Sequence, residues 1–227
     1  MFSGRKPVLS ALLLAVALLL LASCAAPAAQ QETTETEPRE TELVPGVFVV
    51  SVFPYSGPYP EDGSGEMCER VVAVTLLNRS DVHYEYLSFT LETSGGVSTF
   101  EAATLFAGSQ MVVVSKEKTP FADDTVRSHS VLKAAPFTAT PSVHTESLEI
   151  TCAKGFITVR NLTKAPLANV YVYYKQKNDQ GWWFGGITRR VAFGEIAPGE
   201  LVQRPAKGLT DAAQVVFSTF TDATTDG

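Results

Sequence analysis

The sequence predicts an all-β protein whose folded part consists of two β-sandwich domains. Apolar and polar residues alternate over short stretches, as in strands with one buried face. Gly, Pro, Asn and Asp separate these stretches, and the order of the stretches occurs twice. From Val44 onward no helical periodicity is present, so short strands joined by turns are the expected architecture.

The N-terminus has the features of an export signal. Arg5 and Lys6 precede an apolar run from Val8 to Ala22, which is shorter than the roughly 20 residues of a membrane span. The run ends in "LASC", residues 21–24, which resembles a bacterial lipobox. The resemblance implies a lipoprotein signal peptide over residues 1–23 and a Cys24 that carries a diacylglycerol and a further acyl chain such as palmitate. The alternative is a plain secretory signal in which Cys24 is incidental.

The segment after Cys24 predicts a disordered acidic stalk over residues 24–43. Ala25 to Leu43 contains five Glu, one Arg and two Pro but no aromatic residue, so little in it offsets the entropy of ordering. Cleavage before Cys24 would leave 16 basic and 24 acidic residues, a net charge of −8. This charge disfavours nucleic acid as a partner and leaves the lipid anchor as the expected contact with the membrane.

The strand pattern occurs in two copies. In the first, "VVAVTLLNRS" after Cys68 is followed by "YLSFTLE" and "STFEAATLFAG". In the second, "GFITVRNLT" after Cys152 is followed by "NVYVYYK" and "GGITRRVAFGEIAPG". The offsets are 84 residues at these cysteines, 83 at Asn78/Asn161 and 91 at Gly108/Gly199, so the extra length lies in one hairpin. We expect domain 1 over residues 44–138 and domain 2 over residues 143–222.

Both halves resemble a known group of exported proteins. "VRNLTKAPLANVYVYYK" with "GGITRRVAFGEIAPGE", and "DGSGEMCERVVAVTLLNRS" with "STFEAATLFAGSQMVVVSKE", are similar to segments of a family of secreted proteins and lipoproteins of Gram-positive anaerobes. Each half also resembles the FxLYD and related immunoglobulin-like sandwich domains, with Val172-Tyr173-Tyr174 approximating their motif. The resemblance implies two tandem immunoglobulin-like domains and an extracytoplasmic, membrane-anchored location. It implies no activity.

Few residues form patterns associated with catalysis or metal binding. The three histidines His83, His129 and His144 lie far apart, and no nucleophile elbow, phosphate loop or dinucleotide fingerprint is present. "EDGSGE", residues 61–66, lacks the alternating ligands of a calcium loop, so a flexible turn is the favoured interpretation. We therefore expect no catalytic residue, cofactor or metal.

Two asparagines end strands in N-x-[ST] triplets, one in each repeat. Asn78-Arg79-Ser80 and Asn161-Leu162-Thr163 match the glycosylation pattern, but the favoured interpretation is that their side chains bond local backbone groups.

Cys68 and Cys152 form a possible disulfide, since an exported protein meets an oxidising compartment. They occupy equivalent positions in the repeats, so a bridge requires the domains to lie side by side. Two separately buried thiols are the alternative.

The stretch "YVYYKQKNDQGWWFGG", residues 171–186, is the main candidate contact site. "NDQG" predicts a hairpin turn, and alternation places Val170, Val172 and Tyr174 on one face and Tyr171, Tyr173 and Lys175 on the other. Adjacent Trp182 and Trp183 should point to opposite faces, one buried and one exposed. The exposed strip, Tyr171, Tyr173 and one Trp, either packs against domain 1, the favoured interpretation, or binds a glycan or an envelope protein.

The function expected from these features is a non-enzymatic binding or scaffolding role at the cell envelope. The alternative is a cofactor-free enzyme or enzyme subunit with a site at the domain junction. The alternative requires two or more convergent His, Asp or Glu side chains there.

Overall fold

Every regular element in residues 40–222, the part of the chain that this computed structural model describes, is a β-strand, which confirms the all-β prediction. The strands are β1 (Thr41–Val44), β2 (Val47–Pro58), β3 (Met67–Asn78), β4 (Tyr84–Thr93), β5 (Gly96–Leu105), β6 (Gln110–Val114), β7 (Ser128–Pro136), β8 (Leu148–Ala153), β9 (Phe156–Asn161), β10 (Leu167–Lys177), β11 (Trp183–Ile196), β12 (Leu201–Pro205) and β13 (Ala213–Asp222). None of these described residues forms a helix that is long and apolar enough to cross a membrane.

The two sequence repeats have the same topology. In the first, β2-β3-β6 form one layer and β5-β4-β7 the other. In the second, β8-β9-β12 and β11-β10-β13 occupy the equivalent layers. The strand order inferred from the sequence repeat is therefore reproduced strand by strand.

Each repeat encloses its own apolar core between its two layers. The alternating Leu87, Phe89 and Leu91 of β4 are fully buried against residues of β3 and β6. In the second repeat, Val170, Val172 and Tyr174 of β10 pack against Ile157 and Val159 of β9. Alternation thus identified the core face of these strands correctly, because each sheet has one face inside.

The repeats share a sheet, which the sequence did not predict. Sheet order β1-β2-β3-β6-β11-β10-β13 joins one layer of each repeat, through a parallel pairing of β6 with β11. The register sets Trp183 opposite Met111 and Phe184 opposite Val112. These two aromatic residues begin β11, so the longer hairpin of the second repeat supplies the residues that join the repeats.

The last residues of the segment expected to be disordered form a strand instead. Thr41 to Leu43 belong to β1, which pairs with β2, and Leu43 is buried in the first core. Glu40 also accepts two hydrogen bonds from the Arg79 guanidinium, at 2.7 and 2.6 Å. The burial of Leu43 and the pairing of β1 with β2 account for the order of these residues. The signal peptide, Cys24 and residues 24–39 of the predicted stalk lie outside the described residues.

The two strand-ending asparagines confirm the interpretation as local backbone partners. Asn78 is fully buried, and its amide donates to the carbonyls of Val82 at 2.8 Å and Phe106 at 3.1 Å. Its oxygen accepts from the amide and hydroxyl of Ser80. The second repeat has the same network, in which Asn161 is fully buried and bonds Ala165, Ile196 and Thr163. Buried side chains with this many bonds hold the chain where each strand turns.

Candidate functional site: the junction between the repeats

A bulge in β11 lies at the centre of the junction. Opposite β10, Tyr174 pairs with Arg189 and Gln176 pairs with Phe184. One residue of β10, Lys175, therefore faces four residues of β11, from Gly185 to Thr188. Such a bulge removes backbone groups from the ladder, and each of these needs another partner.

Lys175 supplies partners for the carbonyl groups. Its side chain is 2% exposed, and Nζ donates to the carbonyls of Gly185 at 2.9 Å and Ile187 at 2.8 Å. A third bond, 3.2 Å long, goes to the carbonyl of Ala103 in β5 of the first repeat. An ammonium has three donors and no acceptor, so three carbonyls satisfy it completely.

Glu61 supplies partners for the amide groups. Its Oε2 accepts from the amides of Gly186 at 2.6 Å and Ile187 at 3.1 Å. Its Oε1 accepts from the amide of Val114, the last residue of β6, at 3.2 Å. The carboxylate therefore bridges β6 and β11 at the point where their parallel pairing ends.

Close approach at Gly186 explains why this position carries no side chain. A Cβ there would lie 1.7 Å from the carbonyl oxygen of Glu101 in β5. No small shift relieves an overlap of that size with backbone. The bulge thus lies directly on β5, and β11 contacts two strands of the first repeat, β5 and β6.

Burial shifts the pKa of both charged groups at the bulge. Desolvation lowers the pKa of Lys175 to about 7, against the attraction of Glu61. Desolvation also raises the pKa of Glu61, against the N–H bonds from Gly186 and Val114 and the charge of Lys175. Both shifts have burial as their main cause, and the hydrogen bonds and charges around each group oppose it only in part.

Two cavities open beside this pair, and they share Tyr59 and Ile187 as a common wall. The first cavity, of about 240 Å³, is lined by Pro58, Tyr59, Pro60, Gly63, Gly65, Lys175, Gln176, Phe184, Ile187 and Arg189. The second cavity, of about 210 Å³, is lined by Tyr59, Glu61, Tyr86, Glu101, Ala103, Val114, Lys116, Gly186 and Ile187. Both repeats contribute to each cavity.

Tyr59 holds the wall between the cavities in place. It is 6% exposed, and its hydroxyl lies 3.4 Å from the carbonyl oxygens of Ser115 and Lys116. Its own amide donates to the carbonyl of Glu66 at 2.7 Å, which closes the loop of residues 60–65. Desolvation raises the pKa of Tyr59 to about 12, so the phenol stays protonated and can donate.

The predicted aromatic strip is divided between two environments. Tyr173 stacks on Phe217 of β13 with ring centres 4.0 Å apart, and Phe217 meets Phe137, the residue after β7, edge to face. Tyr171 lies under the Arg190 guanidinium, 4.7 Å from its ring centre. Both tyrosines therefore pack against residues outside the first repeat's strands.

The prediction of one buried and one exposed tryptophan is wrong, because both are half-buried. Alternation does not apply to the pair, since Trp182 precedes β11 and belongs to the turn that Asn178 caps. Trp183 packs against the core of the first repeat and lies 6.1 Å from Phe106, centre to centre. Of the residues predicted to make contacts, Trp183 is the one at the junction.

The two cysteines are free thiols in different surroundings. Cys68 is buried in a small cluster with Tyr59, Val71 and Val114, whereas Cys152 is exposed on β8. The structure thus does not bring the possible disulfide pair together.

Sequence reasoning missed the residues that build the junction, Glu61, Lys175 and Arg189. Alternation placed Lys175 on the same face of its strand as Tyr171 and Tyr173, and nothing in the pattern indicated that Lys175 itself is buried. Glu61 lies in a glycine-rich segment, residues 61–66, whose composition predicts a flexible turn. A signal was present in Gly185-Gly186, because two glycines within an aromatic strand indicate a bulge or a close backbone approach.

Comparison with known proteins adds no family assignment. No protein-family model matches the chain, and a search of curated proteins finds no match to it.

Proposed function

We propose that this protein is a lipid-anchored envelope protein that binds a ligand, without catalysis, at the junction between its repeats. The lipobox-like residues 21–24 and the acidic segment after them support the anchor. The observation that carries the binding role is the pair of adjoining cavities, to which the loop of one repeat and the bulge of the other both contribute. Concave sites between packed units are common ligand sites.

The geometry supports an enzyme less well. The second cavity does contain two carboxylates, Glu61 and Glu101, which is the number that the enzymatic alternative requires. Glu61, however, uses both oxygens to accept three backbone N–H groups. Glu101 forms an ion pair with Lys116 at 2.6 Å. The Glu61 carboxylate is thus engaged by backbone groups, which leaves the partly exposed Glu101 as the one carboxylate of this pair able to reach a substrate proton, whereas the enzymatic alternative requires two.

Photo-crosslinking in intact cells tests the proposal. Benzoylphenylalanine replaces Tyr86 in the second cavity or Gln176 in the first, and the control position is Leu201 of β12, which is 54% exposed. We expect light-dependent adducts from both cavity positions and none from Leu201. Identical adducts from all three positions, or none from any, would contradict a binding site at the junction.

A further inference from the structure

We propose that the first cavity binds the carboxylate of a small ligand with an apolar body, and that Arg189 holds that carboxylate. This inference rests on the proposed binding function and names the ligand chemistry. Arg189 lies in β11 directly after the bulge, opposite Tyr174, and its side chain lines the cavity.

The guanidinium is held by packing and keeps its donors free. The backbones of Gly63 and Gly208 lie close to the Arg189 guanidinium and enclose it. A Cβ added to Gly63 would lie 2.5 Å from Nη2 of Arg189, and one added to Gly208 would lie 3.7 Å from its Cζ. Both glycines have positive φ, +65° and +68°. Within residues 40–222, Arg189 has no side-chain hydrogen bond or ion pair. A planar fork that is positioned but unpaired matches the two oxygens of a carboxylate.

Charge in the cavity favours an anion with a single charge. Among the residues that the structure describes, none that lines the first cavity is acidic, although the protein as a whole is acidic. The other cation in the lining, Lys175, has all three donors engaged by carbonyls, and its charge is compensated by the nearby Glu61. One free guanidinium balances one negative charge, which suits a carboxylate better than a doubly charged phosphate.

Size and lining define the remainder of the ligand. Pro58, Pro60 and Phe184 give the cavity apolar walls, and its volume is about 240 Å³. Ligand pockets for drug-sized molecules begin at about 300 Å³, so this cavity fits a group the size of one amino-acid residue. The C-terminal residue of a peptide and a free aromatic or aliphatic carboxylic acid share this chemistry.

The test measures binding to the purified full-length protein in detergent by NMR titration. The probes are N-acetylphenylalanine and a pentapeptide that ends in phenylalanine, each compared with its C-terminal amide. We expect each carboxylate to bind at least tenfold more tightly than its amide. A pentapeptide that binds at least tenfold more tightly than N-acetylphenylalanine identifies a peptide C-terminus as the ligand, and equal affinities identify a free carboxylic acid.

Arg189→Gln should remove the preference for the carboxylate, whereas Arg190→Gln should change affinity less than twofold. Arg190 is the matched control because it is adjacent, exposed and lies over Tyr171 on the other face. Equal binding of carboxylates and amides to the unaltered protein would overturn the inference, as would binding of neither probe. If Arg189→Gln does not fold, the inference is decided by the affinities of each carboxylate and its amide for the unaltered protein. Crosslinks at Tyr86 and Gln176 without a carboxylate preference would overturn this inference and leave the proposed function intact.

Discussion

Glu61 and Lys175 both bind the backbone of Ile187, the carboxylate at its amide (3.1 Å) and the ammonium at its carbonyl (2.8 Å). The negative group thus binds the amide of Ile187 and the positive group binds its carbonyl, and together they replace the ladder partners that the bulge removed. The two groups come from different repeats, so the bulge exists only where the repeats meet. Its stability should depend on each of them.

Glu61→Gln should lower the free energy of unfolding by about 3 kcal/mol, because it leaves Lys175 without its compensating charge and turns amide hydrogens toward backbone N–H groups. Glu66→Gln is the matched control, since Glu66 directly follows the same loop and its exposed side chain pairs with Lys118. That change should alter stability by less than about 0.5 kcal/mol. Urea denaturation measures both, and equal losses would contradict the role of Glu61.

Stability should rise between pH 7 and about 8.5 because of Lys175. Its pKa is lowered to about 7 in the folded state from 10.5, so over this range the unfolded chain binds more protons than the folded chain. Glu61 has the opposite effect at lower pH. Its folded pKa is raised above 4.5, so stability falls as pH rises through the interval between the two values. Denaturant midpoints measured between pH 7 and about 8.5 should rise for the unaltered protein but not for Lys175→Met. The same rise in both proteins would contradict the assignment to Lys175.

Gly186→Ala should destabilise the protein by about 3 kcal/mol or more, because the added methyl group meets the Glu101 carbonyl at 1.7 Å. Gly199→Ala is the comparison. Gly199 has φ +72° and open space around it, so its replacement should cost only about 1 kcal/mol of backbone strain. Thermal unfolding of the two variants distinguishes crowding from strain. Equal changes would mean that β11 does not approach β5 as closely as described.

Trp183→Ala should cost about 2 kcal/mol, and Trp182→Ala less than about 1 kcal/mol. Trp183 is packed against the first core and is only half-buried, so the loss falls below the 3–5 kcal/mol of a fully buried aromatic residue. Trp182 belongs to the turn. Denaturant midpoints measure the loss of stability in both variants. A larger loss for Trp182→Ala would show that Trp182, and not Trp183, supports the junction.

Cys24→Ala should abolish incorporation of radiolabelled palmitate and release the protein into the medium or leave it unprocessed. The basis is the lipobox-like "LASC" and the acidic segment that follows it. Cys152→Ala, which alters an exposed thiol, should keep normal labelling. Undiminished labelling of Cys24→Ala would end the lipoprotein hypothesis.

Periodicity predicted the parts of this fold in which side chains have one buried and one exposed face. Leu87, Phe89 and Leu91 follow that rule, and so do Val170, Val172 and Tyr174. The same rule placed Lys175 on the face opposite Tyr174, but it did not predict the burial of Lys175, which results from the bulge and the neighbouring repeat. Alternation describes a single strand, and it carries no information on what a distant segment will place over that strand.

The candidate site was less predictable than the fold for a related reason. Charged residues are usually at the surface, so Glu61 and Lys175 carry no mark of burial in the sequence. The burial of Lys175 and the partial burial of Glu61 depend on backbone groups left free by a bulge, and a bulge depends on register. Register between β6 and β11 joins residues more than 70 positions apart, beyond the range of any local pattern.

The parallel pairing of β6 with β11 couples the folding of the two repeats. Neither repeat can complete its sheet alone, since β6 would become an open edge in one half and the start of β11 an open edge in the other. Because long-range contacts form late, both edges are exposed until the start of β11 pairs with β6. The protein should therefore unfold in one cooperative transition, and a cut in the segment between Pro136 and Leu148 would yield two halves prone to aggregation rather than two independent domains.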